Sequence, residues 1–199
     1  AAFNQAINAF DEALKDYPRA DHRHIIIHAC LPTEEGFEKA AKLGLGIAAQ
    51  PAFIRWNLEP PEYLENILGS RVQHLNPLKK MLEMGIMVSG GSDAPCTLPD
   101  PIEGIFCACN NIISGQSIAI ADALKLFTAN AAWMSFDDGQ RGTLEAGKIA
   151  DMVILNKNPL SMQPQQLQDL QVEKLLLRGK EYRTGQGIAK LLLNCLSGK

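Results

Sequence analysis

Three short, almost wholly apolar segments alternate with helical patterns in the first two-thirds of the chain, and this alternation restricts the possible folds most. The segments read HIIIHA from residue 24, GIAAQPAFI from residue 46 and IMVSGGSD from residue 86. Strands that are apolar on both sides are typical of a parallel sheet whose two faces are covered by helices. The alternation therefore predicts an α/β fold with parallel pairing.

Apolar residues at spacings of three and four predict helices between and after these strands. The first helix is expected to run to about Tyr17, and Thr33 and Ser117 are the expected N-caps of two later helices. A helix that starts at Pro101 is expected to continue through Ile113. Other helices are predicted at Pro60–Pro61, from Leu78 to Met84, and around Trp133.

The composition changes after Phe136, where DDGQRGTLEAGKIAD is rich in glycine and charge. MVIL then predicts a strand, residues 156–169 predict a polar linker, and VEKLLLRGKEYRT predicts two strands joined by a glycine turn. These patterns divide the chain into an α/β portion over residues 1–137, a β-rich portion over 138–185 and a helix over 186–199.

Charge and hydropathy exclude two classes of partner. The net charge is −3, from 22 acidic and 19 basic residues, so the chain lacks the basic surplus that phosphate contacts require. No apolar run approaches the ~20 residues that cross a bilayer, and the first residues lack a basic segment before an apolar one. We expect neither nucleic acid nor a membrane as a partner.

The cysteines point to a reducing compartment. The five of them form an odd set without disulfide or zinc-ribbon spacing: Cys30, Cys96, Cys107, Cys109 and Cys195. We expect reduced thiols in a cytoplasmic protein rather than a disulfide framework. No base adjoins Cys96, so a nucleophilic cysteine is not expected.

Two strand ends carry side chains suited to metal chemistry. Ligands of parallel α/β folds bind at the carboxyl ends of the strands, where His28 ends the first strand and Asp93 the third. Imidazole and carboxylate occur together in hydrolytic zinc sites, where the metal lowers the pKa of bound water to ~7. The alternatives are a hydrogen-bonded core histidine and an aspartate that caps a helix or turn.

Other polar residues are weaker candidates for the site. Gln50 ends the middle strand and can hydrogen-bond a substrate, and Arg71 is either an anion clamp or a solvated surface residue. His24 precedes His28 by four residues, which is roughly 13 Å along a strand, so both cannot bind one ion. We assign His24 a structural role and expect His22 and His74 to be solvated.

The ordered series RHIIIHA, AAQP, VSGGSDAP, Asp100–Pro101 and GTLEAGKIADMVIL resembles the carboxyl-terminal part of the amidohydrolase superfamily. It is most similar to amidohydrolase family 3, the group of YtcJ-like and formamide-deformylase-like metal-dependent hydrolases. This resemblance implies strands six to eight of a (β/α)8 TIM-like barrel over residues 1–137. It also implies the strands of a small β-sandwich over residues 138–185.

The resemblance also implies roles for single residues. His28 matches the strand-six histidine that binds metal, and Asp93 matches the strand-eight aspartate that binds metal and acts as general base. Gln50 and Arg71 match positions near the mouth of the site and are assigned to substrate binding. Ile27 departs from the common Arg-Ile-Glu-His pattern, which leaves the local hydrogen bonding and the substrate preference open.

The family's His-x-His pair, its strand-four lysine and its strand-five histidine would all precede Ala1. We therefore expect the carboxyl-terminal part of a metal-dependent hydrolase of amide-type, non-peptide carbon–nitrogen bonds, inactive by itself. The expected cofactor of the full-length protein is zinc or another divalent metal, and the expected substrate is a small amide-like molecule. Uncovered strands predict self-association. The alternatives are a non-catalytic regulatory or binding protein with the same fold, similar to exoenzyme regulators, or a coincidental pairing of His28 and Asp93.

Overall fold

The computed structural model describes residues 2–182, so Cys195 and the predicted helix over 186–199 lie outside the described residues. The α-helices are α1 (Ala2–Asp16), α2 (Glu34–Leu43), α3 (Pro61–Leu68), α4 (Leu78–Glu83), α5 (Pro101–Cys109), α6 (Ile120–Leu126) and α7 (Ala129–Met134). The strands are β1 (Ile25–Ile27), β2 (Gly46–Ala49), β3 (Met87–Gly90), β4 (Met152–Leu155), β5 (Val172–Leu177) and β6 (Lys180–Tyr182). Short 3-10 helices cover Pro51–Arg55, Gly69–His74, Pro159–Ser161 and Pro164–Asp169.

The first sheet has the predicted parallel pairing. Its strands stand in the order β1-β2-β3, with Ile26 opposite Ile47 and Ile47 opposite Val88. Ile47 and Val88 are fully buried, and the helices between the strands cover the sheet. The α/β class is confirmed for this part of the chain.

The second sheet is antiparallel, in the order β4-β5-β6. The predicted strand, glycine turn and strand are confirmed: β5 and β6 pair antiparallel across Arg178–Gly179. Arg178 and Gly179 donate their backbone N–H groups to Asp151 Oδ1 and Ala150 O, both at 2.8 Å. The turn is therefore fixed to the residues that lead into β4. That this sheet forms part of a β-sandwich stays a prediction.

Helix α2 begins and ends as its sequence predicts. The Thr33 hydroxyl accepts the Gly36 N–H at 3.1 Å, and Gly44 adopts a left-handed φ of 69° at the end of the helix, as a C-terminal glycine does. The ring of Phe37 packs edge-on against Phe3 of α1, with centroids 5.6 Å apart. This contact holds α1 and α2 together on one side of the parallel sheet.

Three local predictions were wrong. The strand over GIAAQPAFI stops at Ala49 and gives way to a 3-10 helix, because proline lacks the N–H that a central strand must donate. Helix α5 ends at Cys109 before reaching Ile113. Ser117 does not cap α6; its hydroxyl accepts the Asn111 N–H at 3.1 Å instead.

The segment over residues 156–169, predicted as a polar linker, contains two 3-10 helices and packs against the core. Leu167 is 0% exposed, because it belongs to the same apolar cluster as helix α5. The Asn110 side chain donates to the Pro164 carbonyl at 2.8 Å. Residues 156–169, which connect two strands of the second sheet, are therefore packed against α5 and do not form a free linker.

Arg23 fixes the start of β1 to the end of α7 and the residues that follow it. Its guanidinium lies over the rings of Trp133 and Phe136, at 4.8 and 4.6 Å from their centroids. It also donates to Asp138 Oδ1 at 2.7 Å, and this hydrogen bond lowers the pKa of the Asp138 carboxyl. These contacts lie at the amino end of the sheet, opposite the rim where β1 ends.

None of the helices in residues 2–182 is long and apolar enough to cross a bilayer. The cysteines of this part of the chain are free: Cys30, Cys96, Cys107 and Cys109. Burial raises the pKa of the Cys107 thiol to about 12 and that of the Cys109 thiol to about 11. Both therefore stay protonated and unreactive at neutral pH.

Gly104 and Gly90 leave the space that the Phe127 ring occupies, since a Cβ at either position would overlap that ring. Alanine in place of an interior helical glycine usually stabilises by roughly 0.5–1 kcal/mol, but overpacking costs about 1–3 kcal/mol. We predict that Gly104→Ala lowers the free energy of unfolding, measured by chemical denaturation. Phe127→Leu should restore most of the loss, and Gly139→Ala, in open space, is the control. A more stable Gly104→Ala protein would contradict this packing.

His24 should make the fold sensitive to mild acid. Its ring stacks on Phe10 and His22, with centroids 5.1 and 4.7 Å away. Burial lowers the pKa of His24, helped by repulsion from His22 and Arg19. The unfolded chain, with a His pKa near the ordinary ~6.5, then binds more protons than the folded chain below that pH. The stability that depends on neutral His24 is therefore fully present above about pH 6.5 and is lost as the pH falls through the lower folded pKa.

We predict that the free energy of unfolding decreases between about pH 7 and pH 5, and that His24→Gln reduces this slope. Denaturation curves at several pH values measure it. The carboxyls whose pKa is lowered titrate below this window: Asp11, Glu34 and Asp138. An identical slope in the variant would contradict the assignment.

Candidate functional site

The carboxyl ends of the three parallel strands bring three polar side chains to one rim. His28 follows β1 directly, Gln50 follows β2, and Asp93 lies three residues beyond β3. His28 Nε2 and Asp93 Oδ2 are 3.7 Å apart. The two residues that the sequence singled out for metal chemistry therefore face each other across the end of the central strand.

Neighbouring carbonyls of β2 hold the two outer strands at this rim. Ala48 O accepts the His28 N–H, and Ala49 O accepts the Gly91 N–H, both at 2.9 Å. Successive carbonyls of a strand point to opposite sides, so adjacent residues of the central strand serve its two neighbours. The sheet ladder thus extends up to His28 on one side and to the GGSD turn on the other.

Ser92 organises the turn that presents Asp93. Its carbonyl accepts the Thr97 hydroxyl at 2.6 Å, and its own hydroxyl accepts the Ala94 N–H at 3.3 Å. The turn leads into Asp100, whose side chain accepts the Ile102 N–H at 2.9 Å at the start of α5. Local hydrogen bonds of the GGSDAP segment therefore fix the position of the carboxylate.

The backbone at the rim is strained. His28, Ala29 and Asp93 have φ angles of 74°, 55° and 52°, in the left-handed region that residues with a side chain seldom adopt. Such conformations concentrate at functional sites, where the surrounding structure holds them in place. Both ends of the His28–Asp93 pair carry this feature.

The two side chains are half exposed and free to bind a ligand. Their exposed fractions are 42% for His28 and 44% for Asp93, and within residues 2–182 neither side chain makes another hydrogen bond or ion pair. The 3.7 Å between Nε2 and Oδ2 is too long for a hydrogen bond. It is close to the separation of about 3.3 Å between two ligands of a tetrahedral zinc ion.

Gln50 lies on the floor of the rim, only 4% exposed. Its Nε2 donates to Ala48 O at 3.1 Å, whereas its buried Oε1 has no hydrogen-bond partner among the described residues. A buried acceptor without a donor costs about 1–3 kcal/mol. The structure therefore keeps an energetically unfavourable group at the centre of the candidate site.

Arg71 stands apart from the other three candidates. It lies in the 3-10 helix Gly69–His74 and donates its Nε to Leu68 O at 3.2 Å. No hydrogen bond or ion pair of the described residues joins it to His28, Gln50 or Asp93. The rim geometry therefore brings together three of the four residues that the sequence named.

Two aromatic residues at the rim were missed. The Phe53 ring lies 5.7 Å from the His28 ring, and Trp56 stacks on Phe53 at 5.4 Å with an interplanar angle of 20°. The apolar pattern GIAAQPAFI predicts a strand up to Ile54, which hides the relation of the two rings. The signal in the sequence was Pro51 followed by aromatic residues three apart, as in a 3-10 turn.

The chemistry of this rim suits a divalent metal in part. Within residues 2–182, no group of three or more His, Cys, Asp or Glu side chains is placed to hold an ion. Zinc usually has about four ligands, with imidazole and carboxylate among the preferred ones. His28 and Asp93 therefore fit two of the positions around one ion.

The chain is similar to two curated proteins whose names describe hydrolases. It is 27% identical over 190 residues to YtcJ of Bacillus subtilis (strain 168), an amidohydrolase by its name, covering 90% of this chain and 35% of that protein. It is 28% identical over 186 residues to N-substituted formamide deformylase of Arthrobacter pascens, covering 87% and 34%. The chain thus spans about a third of the length of the curated relatives it matches.

Among solved structures, a metal-dependent hydrolase of Pyrococcus furiosus, itself uncharacterised, superposes with a TM-score of 0.66 and 27% identity. The superposition covers 79% of this chain and 32% of that one. The family model described as the amidohydrolase family matches residues 1–182. That match includes both sheets, the strained rim and the segment that joins them, and the chain belongs to the amidohydrolase family.

Proposed function

We propose that the protein is a metal-dependent hydrolase of carbon–nitrogen bonds in small, non-peptide amides. The observation that carries the proposal is the approach of His28 Nε2 to Asp93 Oδ2, at 3.7 Å. Membership of the amidohydrolase family and the similarity to N-substituted formamide deformylase support the reaction class. The region over 1–137 then corresponds to strands six to eight of a barrel, and β4–β6 to part of a sandwich.

His28 and Asp93 are proposed as ligands of zinc or another divalent ion. When bound, such an ion lowers the pKa of a water molecule to ~7 and polarises the amide carbonyl. The Asp93 carboxylate accepts the proton of the attacking water and delivers it to the departing nitrogen. The water oxygen bonds to the carbonyl carbon, the C–N bond breaks and the proton goes to the nitrogen. The products are a carboxylic acid and an amine.

Gln50 and Arg71 are proposed to contact the substrate. Gln50 ends the central strand between the two metal ligands, and its unpartnered Oε1 is the acceptor that a bound group would satisfy after a small side-chain movement. Arg71 is an exposed residue, and its guanidinium suits an anionic group of the substrate. A variant of Arg71 is therefore expected to affect substrate binding without affecting the rim residues.

The described residues supply two ligands to an ion that takes about four. We therefore expect this chain by itself to hydrolyse amides poorly, and the full-length protein that carries this sequence to be active. Self-association also stays a prediction. It is supported by the exposed apolar side chains of the second sheet, among them Val153, Ile154 and Val172.

We predict that Asp93→Asn in the full-length, metal-loaded protein lowers kcat by about 10²–10⁴-fold, the usual contribution of a general base. Hydrolysis of a panel of small formamides and acetamides, followed by amine release, measures the change. Asp122→Asn is the matched control, since Asp122 pairs with Lys125 on α6. Unchanged activity of Asp93→Asn would refute its role as base. A wild-type protein without metal and without activity would favour the regulatory alternative.

We predict that Gln50→Met lowers the rate of amide hydrolysis but does not lower Tm. Methionine fills a similar volume and removes the buried acceptor, so Tm should stay equal or rise, as expected when an unpaired group costing about 1–3 kcal/mol is deleted. Thermal denaturation and amide hydrolysis of the same preparation test this. Loss of activity with Tm retained supports substrate contact, whereas full activity would show that Gln50 serves the fold alone.

A further inference from the structure

Two stacked aromatic rings, those of Phe53 and Trp56, stand beside the proposed metal ligand His28. The 3-10 helix Pro51–Arg55 follows directly from Gln50 at the end of β2. Side chains three residues apart eclipse each other in a 3-10 helix, and Trp56 donates its N–H to Phe53 O at 3.1 Å. The rings of Phe53 and Trp56 are consequently stacked, with centroids 5.4 Å apart.

The opposite side of this short helix is fixed to the core. Its buried residues are Pro51, Ala52 and Ile54, and the Arg55 guanidinium lies over the Phe106 ring of α5 at 4.9 Å. Phe53 and Trp56 are each left partly exposed. The ring pair is therefore held by a rigid support while a part of each ring stays open to solvent.

The position of the rings relates them to the reaction. The Phe53 ring is 5.7 Å from the His28 ring, tilted by 36°, and His28 faces Asp93 at 3.7 Å. A group attached to an amide held at His28 and Asp93 would therefore lie next to the Phe53 ring. The exposed part of each ring can attract an aromatic group by an offset-stacked or edge-to-face contact, which a saturated ring of the same size does not make.

We propose that Phe53 and Trp56 select substrates that carry a planar apolar group next to the scissile amide bond. The proposal rests on the proposed function of the site, which supplies the amide bond and its place at the rim. It names a substrate class: small amides with an aromatic or similarly flat substituent. The substituent sits on the acyl side or on the nitrogen side, and the experiment separates these two attachments.

The test compares substrates of matched size. Each pair has a phenyl and a cyclohexyl member, one pair with the ring on the acyl side and one with it on the nitrogen. The full-length metal-loaded protein is assayed for kcat/KM with each. We expect a phenyl preference for one attachment, and a fall of that preference by about 2- to 10-fold in Phe53→Leu and Trp56→Leu.

A merely structural role for the rings would give a different pattern. Loss of support for His28 would lower the rates for phenyl and cyclohexyl substrates equally and leave their ratio unchanged. Tyr63→Leu is the matched control, because Tyr63 is an exposed aromatic residue on the neighbouring α3. An unchanged ratio in both ring variants overturns the proposal, as does an equal fall in the Tyr63→Leu control.

Binding measured without hydrolysis keeps this inference distinct from the proposed function. The probes are phenylacetone and cyclohexylacetone, which carry a carbonyl group but no amide bond, titrated by calorimetry. Suppose that the protein hydrolyses no amide but binds the phenyl ketone more tightly, and that this preference is lost in Phe53→Leu. That result would support selection by the ring pair and refute the proposed hydrolase function. Amide hydrolysis without any phenyl preference would refute selection by the ring pair and leave the proposed hydrolase function intact.

Discussion

The candidate site depends on two neighbouring carbonyl groups of the central strand. Ala48 O and Ala49 O accept the N–H groups of His28 and Gly91 at the same distance of 2.9 Å, one from each side. Because the pairing is parallel, both outer strands end at the rim where β2 ends. A shift of one residue in either pairing would turn a buried face outward, and would move the imidazole or the GGSD turn away from the other.

Several local costs coincide at this rim. Left-handed backbone at His28 and Asp93 and an unpaired buried acceptor on Gln50 all lie within a few residues of the strand ends. Left-handed φ angles also occur at Arg23, Asn76, Phe136 and Arg178, and Asn76 Oδ1 is a second buried acceptor without a partner among the described residues. Natural sequences depart from local preference mainly where function requires it. At the rim these departures lie beside His28 and Asp93, which face each other at 3.7 Å, and this combination supports the rim as the site.

The sequence predicts the strands, most helices and the approach of His28 to Asp93, because hydrophobic periodicity and parallel pairing depend on local pattern and on a general rule of topology. It does not predict the aromatic pair, since that depends on where β2 stops. Pro51 ends the strand one turn before the apolar pattern ends, and this places Phe53 and Trp56 beside His28. The burial of Leu167 was missed for a similar reason: polar neighbours hide a residue whose partner lies on α5, far along the chain.

The most direct test of the account is the affinity of the full-length protein for zinc, measured by competition with a chelator for the wild type, His28→Gln, Asp93→Asn and the double variant. Two ligands of one ion should each matter, and their effects should be coupled rather than additive, as for groups that contact the same partner. The account predicts weaker binding in each single variant and a loss in the double variant that differs from the sum of the two in free energy. Unchanged zinc affinity in both single variants would contradict a shared metal at this rim.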